Sequence, residues 1–207
     1  MKHYIICGPP GSGKGTQSAQ LAAHFHLRHV STGELLRKEI AEETELGKKV
    51  QDLMNRGELV PDSYMLAMIR RVLLETTGVN GVLLDGYPRT KPQAEGLADL
   101  LRELGMTIDL IVHLSVPTDV ILERIQHRAT VEGRSDDSVE VLKQRLKEYE
   151  EKTIPTIEYY RAQGAPMVDV DGTPDVDTVT TRLIHVLEKG NLEEEHHAGR
   201  ELSTEEA

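Results

Sequence analysis

The chain has 207 residues, a formal charge of −11 and 38% hydrophobic residues, with no Trp, one Phe and six Tyr. That length suits one α/β domain with small inserts, and its core must be built mainly of Leu, Val, Ile and Ala. An acidic body excludes the basic stripe of a nonspecific nucleic-acid binder, and a single cysteine, Cys7, excludes a disulfide framework or a cysteine-rich zinc site within the chain.

His3–Cys7 reads as a short apolar strand that runs into Gly8-Pro9-Pro10-Gly11. Nothing ahead of it has the charged-then-apolar pattern of a signal segment. A helix is expected from Lys14 to His26. Ser31 and Glu34 have capping-box spacing and predict a helix from there to about Glu42. Leu46–Arg56 predicts a second short helix, and Pro61-Asp62 opens a third with apolar positions at Leu66, Ile69, Leu73 and Leu74. Gly81–Asp85 reads as a buried strand, with a helix from Pro92 to Leu104. Ile108–Leu114 is a further strand, and Pro117 starts a helix to about Arg128. Ala129–Ser135 is expected to be a polar loop, and Asp137 to begin one long helix to Arg161. Pro166–Val170 is the last strand, followed by a helix from Asp175 to Lys189.

From residue 190 to residue 207 there are six Glu and one Arg, and this acidic tail is expected to be disordered. No apolar run reaches membrane-spanning length. With a lone cysteine suited to a reducing compartment, the reading is a cytoplasmic protein or the mature form of an organellar one. Strands alternating with helices predict a parallel sheet covered on both faces, with ligands beyond the carboxyl ends of its strands.

Gly8-Pro9-Pro10-Gly11-Ser12-Gly13-Lys14 fits G-x-x-x-x-G-K between a strand and a helix, the setting that this phosphate-binding motif requires. Its glycines leave backbone N–H groups free to point at phosphate oxygens. The helix behind them aims its positive end at the same place. Gly15 stands where Ser or Thr is expected, which makes Thr16 the candidate hydroxyl near a magnesium ion. Further along are Ser31-Thr32-Gly33-Glu34-Leu35-Leu36-Arg37 and Asp85-Gly86-Tyr87-Pro88-Arg89-Thr90-Lys91-Pro92-Gln93. Arg124 and Arg128 share a helix face. Arg134 precedes Asp136-Asp137, and Arg145 lies on the long helix.

Together these motifs closely resemble the adenylate kinase family in its short-lid form, over residues 1 to about 189. The resemblance implies a P-loop three-layer fold around a central parallel five-stranded sheet. Residues 1–30, 61–126 and 138–189 would form the core, 31–60 the monophosphate-binding insert and 127–137 a short lid. The implied activity is reversible magnesium-dependent transfer from ATP to AMP, giving two ADP, by a monomer that engages neither nucleic acid nor membrane.

By position, Gly11, Ser12, Gly13, Lys14, Gly15 and Thr16 would hold the ATP phosphates. Arg128 would join them, Arg124 would meet the adenine face and the Pro174 carbonyl its edge. Thr32, Arg37, Gly86, Tyr87, Pro88, Arg89 and Gln93 would bind AMP, with backbone from Glu58, Leu59 and Val60 near the base and Gln93 reading its edge. Arg134 and Arg145 would clamp the transferring group together with Lys14, Arg89 and Arg128. Asp85 would orient magnesium through water. Asp136 and Asp137 would fix the closed lid, although a helix cap also accounts for them.

Two features depart from or narrow the pattern. Tyr87 replaces the usual Phe, and the short lid without cysteines implies no zinc. The acceptor phosphate is ionised at neutral pH, so no general base is assigned. Asp85 on its own is also a plausible turn former. Cys7 reads as a small core residue, and His24, His26, His196 and His197 as surface residues. A UMP/CMP or broad-range monophosphate kinase is the competing enzyme reading, set against Thr at 32 and 90 and Gln at 93. A nucleotide-binding switch would need neither the second phosphate site nor the arginine set.

Overall fold

The computed structural model describes residues 1–132 and 138–204, and for 126–132, 139 and 191–204 the backbone alone. In chain order the elements are strand β1 (Lys2–Cys7), helix α1 (Lys14–Phe25), β2 (Leu27–Ser31), α2 (Thr32–Ala41), α3 (Glu45–Asn55) and α4 (Asp62–Glu75). Then come β3 (Gly81–Asp85), α5 (Lys91–Glu103), β4 (Leu110–Ser115), α6 (Thr118–Glu132) and α7 (Val139–Glu148). A π-helical turn (Tyr149–Thr153), α8 (Ile154–Ala162), β5 (Met167–Asp171) and α9 (Val176–Thr204) complete the chain.

The strands form one parallel five-stranded sheet in the order β2-β3-β1-β4-β5. β1 is central, so the glycine loop that follows it opens over the middle of the carboxyl edge. Side chains alternate between the two faces. Ile5 and Cys7 of β1, with Val82 and Leu84 of β3, join a core with Leu36, Ile69, Leu97 and Ile157 from α2, α4, α5 and α8. Tyr4, Ile6 and Leu83 point the other way, into a core with Leu21 of α1 and Leu183 and Leu187 of α9. A small third cluster, Val116, Ile121, Ile125 and Leu142, ties α6 to α7.

Several elements differ from expectation. β2 is absent from the sequence pattern because Leu27-Arg28-His29-Val30 carries two polar residues among four, yet it pairs in register with β3 from Leu27↔Gly81 to Ser31↔Asp85. Ser31 is the N-cap residue of α2, but its side chain makes no capping bond. α6 continues through Ala129–Glu132, which was expected to be loop; the first helix-breaking residue there is Gly133. The expected single helix to Arg161 is interrupted at Tyr149–Thr153. Pro155 has no N–H to offer the carbonyl of Glu151, and the winding opens into a π turn just ahead of it. The tail expected to be disordered continues α9 to Thr204. It contains no proline, and Leu192 with Glu193–Glu195 are good helix formers.

Candidate active site

The glycine loop is shaped by backbone that only glycine adopts easily. Gly13 caps α1 at φ 94°, and a Cβ on Gly8 (φ +151°) would stand 2.5 Å from the carbonyl oxygen of Leu114. Lys14, the first residue of α1, curls back into the loop. Its Nζ donates to the carbonyls of Gly8 (2.8 Å) and Pro9 (2.7 Å) and to Ser12 Oγ (3.3 Å). Arg124 of α6 braces the loop from outside. Its Nη1 donates to the Ser12 carbonyl at 3.3 Å, and Nη2 to the carbonyls of Gly172 (2.9 Å), Thr173 (3.0 Å) and Pro174 (3.3 Å).

The turn after β3 forms the opposite wall. Thr32 is buried, and its hydroxyl reaches the carbonyls of Gly86 (3.0 Å) and Asp85 (3.3 Å). Arg89 Nε donates to the same Gly86 carbonyl at 2.7 Å. A Cβ on Gly86, where φ is +78°, would lie 2.7 Å from Arg89 Nη2. Thr90 caps α5 by accepting the Gln93 N–H, and the Gln93 side chain accepts the N–H of Arg89 at 2.8 Å. Loss of water lowers the Arg89 pKa, as do the positive charges of Arg145 and Arg37, while Asp85 opposes them. An arginine so lowered is still charged at neutral pH, so it enters the cleft as a cation that its neighbours make expensive to leave unpaired.

Between these walls lies a cleft of about 960 Å³. Gly11, Ser12, Gly13, Lys14, Gly15, Thr16, Thr32, Arg37, Leu59, Val60, Asp85, Gly86, Pro88, Arg89, Gln93, Arg124, Arg145 and Pro174 all line it. The Tyr87 and Glu58 side chains do not. Tyr87 is packed in the core with its hydroxyl 3.3 Å from the Gln93 carbonyl, because a ring in a hydrophobic setting gains more from burial than from a wet cleft. The Glu58 side chain turns outward to pair with Arg56, which leaves the role expected of its backbone untouched. The side chain of Arg128, and residues Arg134, Asp136 and Asp137, lie outside the described residues. Cys7 is a core residue as expected, and burial pushes its thiol up to about 12.

Three other contacts were not legible in the sequence. His29 Nε2 lies 3.3 Å from Asp85 Oδ2 at the β2–β3 edge, in a strand that the pattern did not reveal. Asp62, read only as a helix opener, accepts the Gln93 side-chain amide at 2.7 Å. The third is a relay across the sheet end. Arg161 Nη2 donates to both Asp169 oxygens at 2.7 Å, and Asp169 Oδ1 is 2.7 Å from His113 Nδ1. His113 Nε2 is in turn 2.9 Å from the Tyr149 hydroxyl. With Nδ1–H directed at Asp169, Nε2 is left to accept the phenol proton. Burial pushes that phenol up to about 12, with Cys7 and Asp169 adding to the shift. Tyr149 opens the π turn that follows Arg145, and Thr153 at its far end donates to the Arg89 carbonyl at 3.2 Å.

A glycine loop beyond the central strand of a parallel sheet, facing a second wall lined with arginines, defines a P-loop protein of the phosphotransferase class. A family model described as adenylate kinase matches residues 6–165. An adenylate kinase of Xylella fastidiosa is 43% identical over 183 residues, covering 88% of this chain and 97% of that one. One from Porphyromonas gingivalis is 38% identical over 189 residues, 91% of this chain and 97% of that one. One from Stenotrophomonas maltophilia is 41% identical over 180 residues, 87% and 96% of the two chains. The chain belongs to the adenylate kinase family.

Proposed function

We propose that this chain carries a phosphoryl group reversibly between ATP and AMP, forming two ADP, with the donor on the glycine loop and the acceptor against Thr32, Arg37, Arg89 and Gln93. The observation that carries the reading is the gathering of Lys14, Arg37, Arg89 and Arg145 around one cleft with two walls. Two polyanions must be brought in line for direct transfer, and fixed cations between them offset the repulsion. Lys14 would follow the phosphoryl group as charge moves. Arg89 and Arg145 would hold its oxygens as it crosses, and Arg128 and Arg134 would join them from a lid at 127–137. Residues 31–60 would close over the acceptor. Catalysis is then positioning and electrostatic stabilisation in a site closed to water, with no proton to remove.

The residues fit a magnesium ion brought by the donor. Asp85 is 7% exposed at the end of β3, and its Oδ2 lies 3.8 Å from where a Cβ on Gly15 would stand. Thr16 lines the same cleft. Among the described residues no three of His, Cys, Asp and Glu gather as a metal site. A magnesium ion keeps several waters and leans on substrate phosphates, so one carboxylate acting through water with one hydroxyl suits it. When bound it neutralises charge on the donor phosphates. Asp85 would orient its waters, and Thr16 would offer an oxygen.

Free nucleotides are the partners of this reading, and a cytoplasmic monomer is its setting, supported by the acidic charge and the lone buried cysteine. No described helix is long and apolar enough to cross a membrane. The test is ADP formation from magnesium-ATP with AMP, GMP, UMP and CMP in turn. Turnover with AMP far above the rest is expected. Turnover with the pyrimidine nucleotides alone, or with none, would remove the reading.

A further inference from the structure

Gln93 is 4% exposed, so its amide must find partners in the protein. Nε2 donates to Asp62 Oδ1 at 2.7 Å, and Oε1 accepts the backbone N–H of Arg89 at 2.8 Å. The two partners are opposite in kind: a carboxylate only accepts, and a peptide N–H only donates. Turning the amide end for end would set Oε1 against the carboxylate and the NH₂ group against the N–H. Both bonds would be lost and both ends would repel. Asp62 is itself held in place. The Thr90 hydroxyl accepts the Gln93 N–H, which directs its own hydrogen to the Asp62 carboxylate, 3.3 Å from both oxygens.

A locked amide discriminates where a turning one does not. Each end of the Gln93 amide retains one further hydrogen-bonding position, a lone pair on Oε1 and a hydrogen on Nε2. A 6-aminopurine presents a donor at position 6 beside an acceptor at N1, and a 6-oxopurine presents the reverse. A free amide would turn to suit either edge. One pinned between Asp62 and Arg89 suits only one.

We propose that Asp62 is a specificity-determining positioning residue, which by fixing the Gln93 amide admits 6-aminopurine monophosphates and rejects 6-oxopurine monophosphates. The proposal rests on reading this cleft as the AMP acceptor site. Because Gln93 is pinned to the backbone of Arg89, a base that forced the amide round would also pull on the arginine that meets the phosphate. The wrong base would thus cost turnover as well as binding.

The test compares AMP with inosine monophosphate, its 6-oxo counterpart, in the wild type, Asp62→Asn and Asp62→Ala. Asparagine keeps the shape but offers either a donor or an acceptor, so the lock loosens without a cavity. The ratio of kcat/KM for inosine monophosphate to that for AMP should rise about tenfold in Asp62→Asn and at least as much in Asp62→Ala. KM for ATP should stay within about twofold, a split that a general loosening of the fold would not produce. Thermal melts identify the folded variants. An unchanged ratio in both, or an equal loss with both acceptors, overturns the lock while leaving the AMP reading intact. A wild type that makes no ADP from ATP and AMP overturns that reading and the lock with it.

Discussion

In the function proposed above, the two walls of the cleft hold phosphate in different ways. On the donor side the grip is main chain: glycines, a helix end and a lysine folded into its own loop, all within residues 8–16. On the acceptor side it is a set of side chains from separate segments: Asp62 holds the Gln93 amide, Gln93 and Thr153 hold the Arg89 backbone, and Thr32 holds the Gly86 carbonyl. A backbone grip reads only charge and spacing, so it suits a group common to all triphosphates. A set of side chains can be chosen residue by residue, so selectivity is placed on that wall.

The largest test of this contrast removes one cation from each wall. Lys14→Met and Arg89→Ala should each lower kcat by about 10²–10³ in a chain that still folds, read by ADP formation and a thermal melt. A large loss in only one would mean that transfer is governed from a single wall. Next, Gly86→Ala should raise KM for AMP by about tenfold and leave KM for ATP alone. The φ of +78° and the approach to Arg89 Nη2 strain the acceptor wall only. Equal effects on both substrates would show that the walls are not independent. Tyr149→Phe breaks the bond to His113 that anchors the end of α7, the helix bearing Arg145. It should reduce kcat about threefold to tenfold, in keeping with one hydrogen bond.

The smallest effect belongs beneath the donor wall. In the folded chain the Cys7 thiol is raised from 9.0 to about 12. The unfolded state therefore loses that proton first as pH rises past about 9, and stability should fall from there upward. Below pH 9 the contribution is flat. Cys7→Ala should lack this part of the alkaline decline in urea melts.

The contrast also explains what the sequence made legible. Residues 8–16 are contiguous and their chemistry is local, so the motif and its strand–loop–helix setting could be read directly. The arginines at 37, 89 and 145 lie on separate segments, so the family resemblance and not a local pattern implied that they act together, and the fold brings them to one cleft. Asp62 was invisible as a site residue because its partners Thr90 and Gln93 are 28 and 31 residues away. β2 escaped because Arg28 and His29 interrupt its apolar pattern; Arg28 instead bonds Thr76 at 2.9 Å and His29 faces Asp85. The break at Tyr149–Thr153 had a signal in Pro155, which the expectation of one continuous helix passed over.

The lysine tucked into its own loop has a consequence for how tightly the donor wall binds. Its ammonium already rests on oxygens of its own loop, so an arriving ligand must replace those bonds rather than fill a gap. Loading the loop is therefore an exchange of bonds, and the net gain that Lys14 brings to binding is smaller than its full charge alone would suggest.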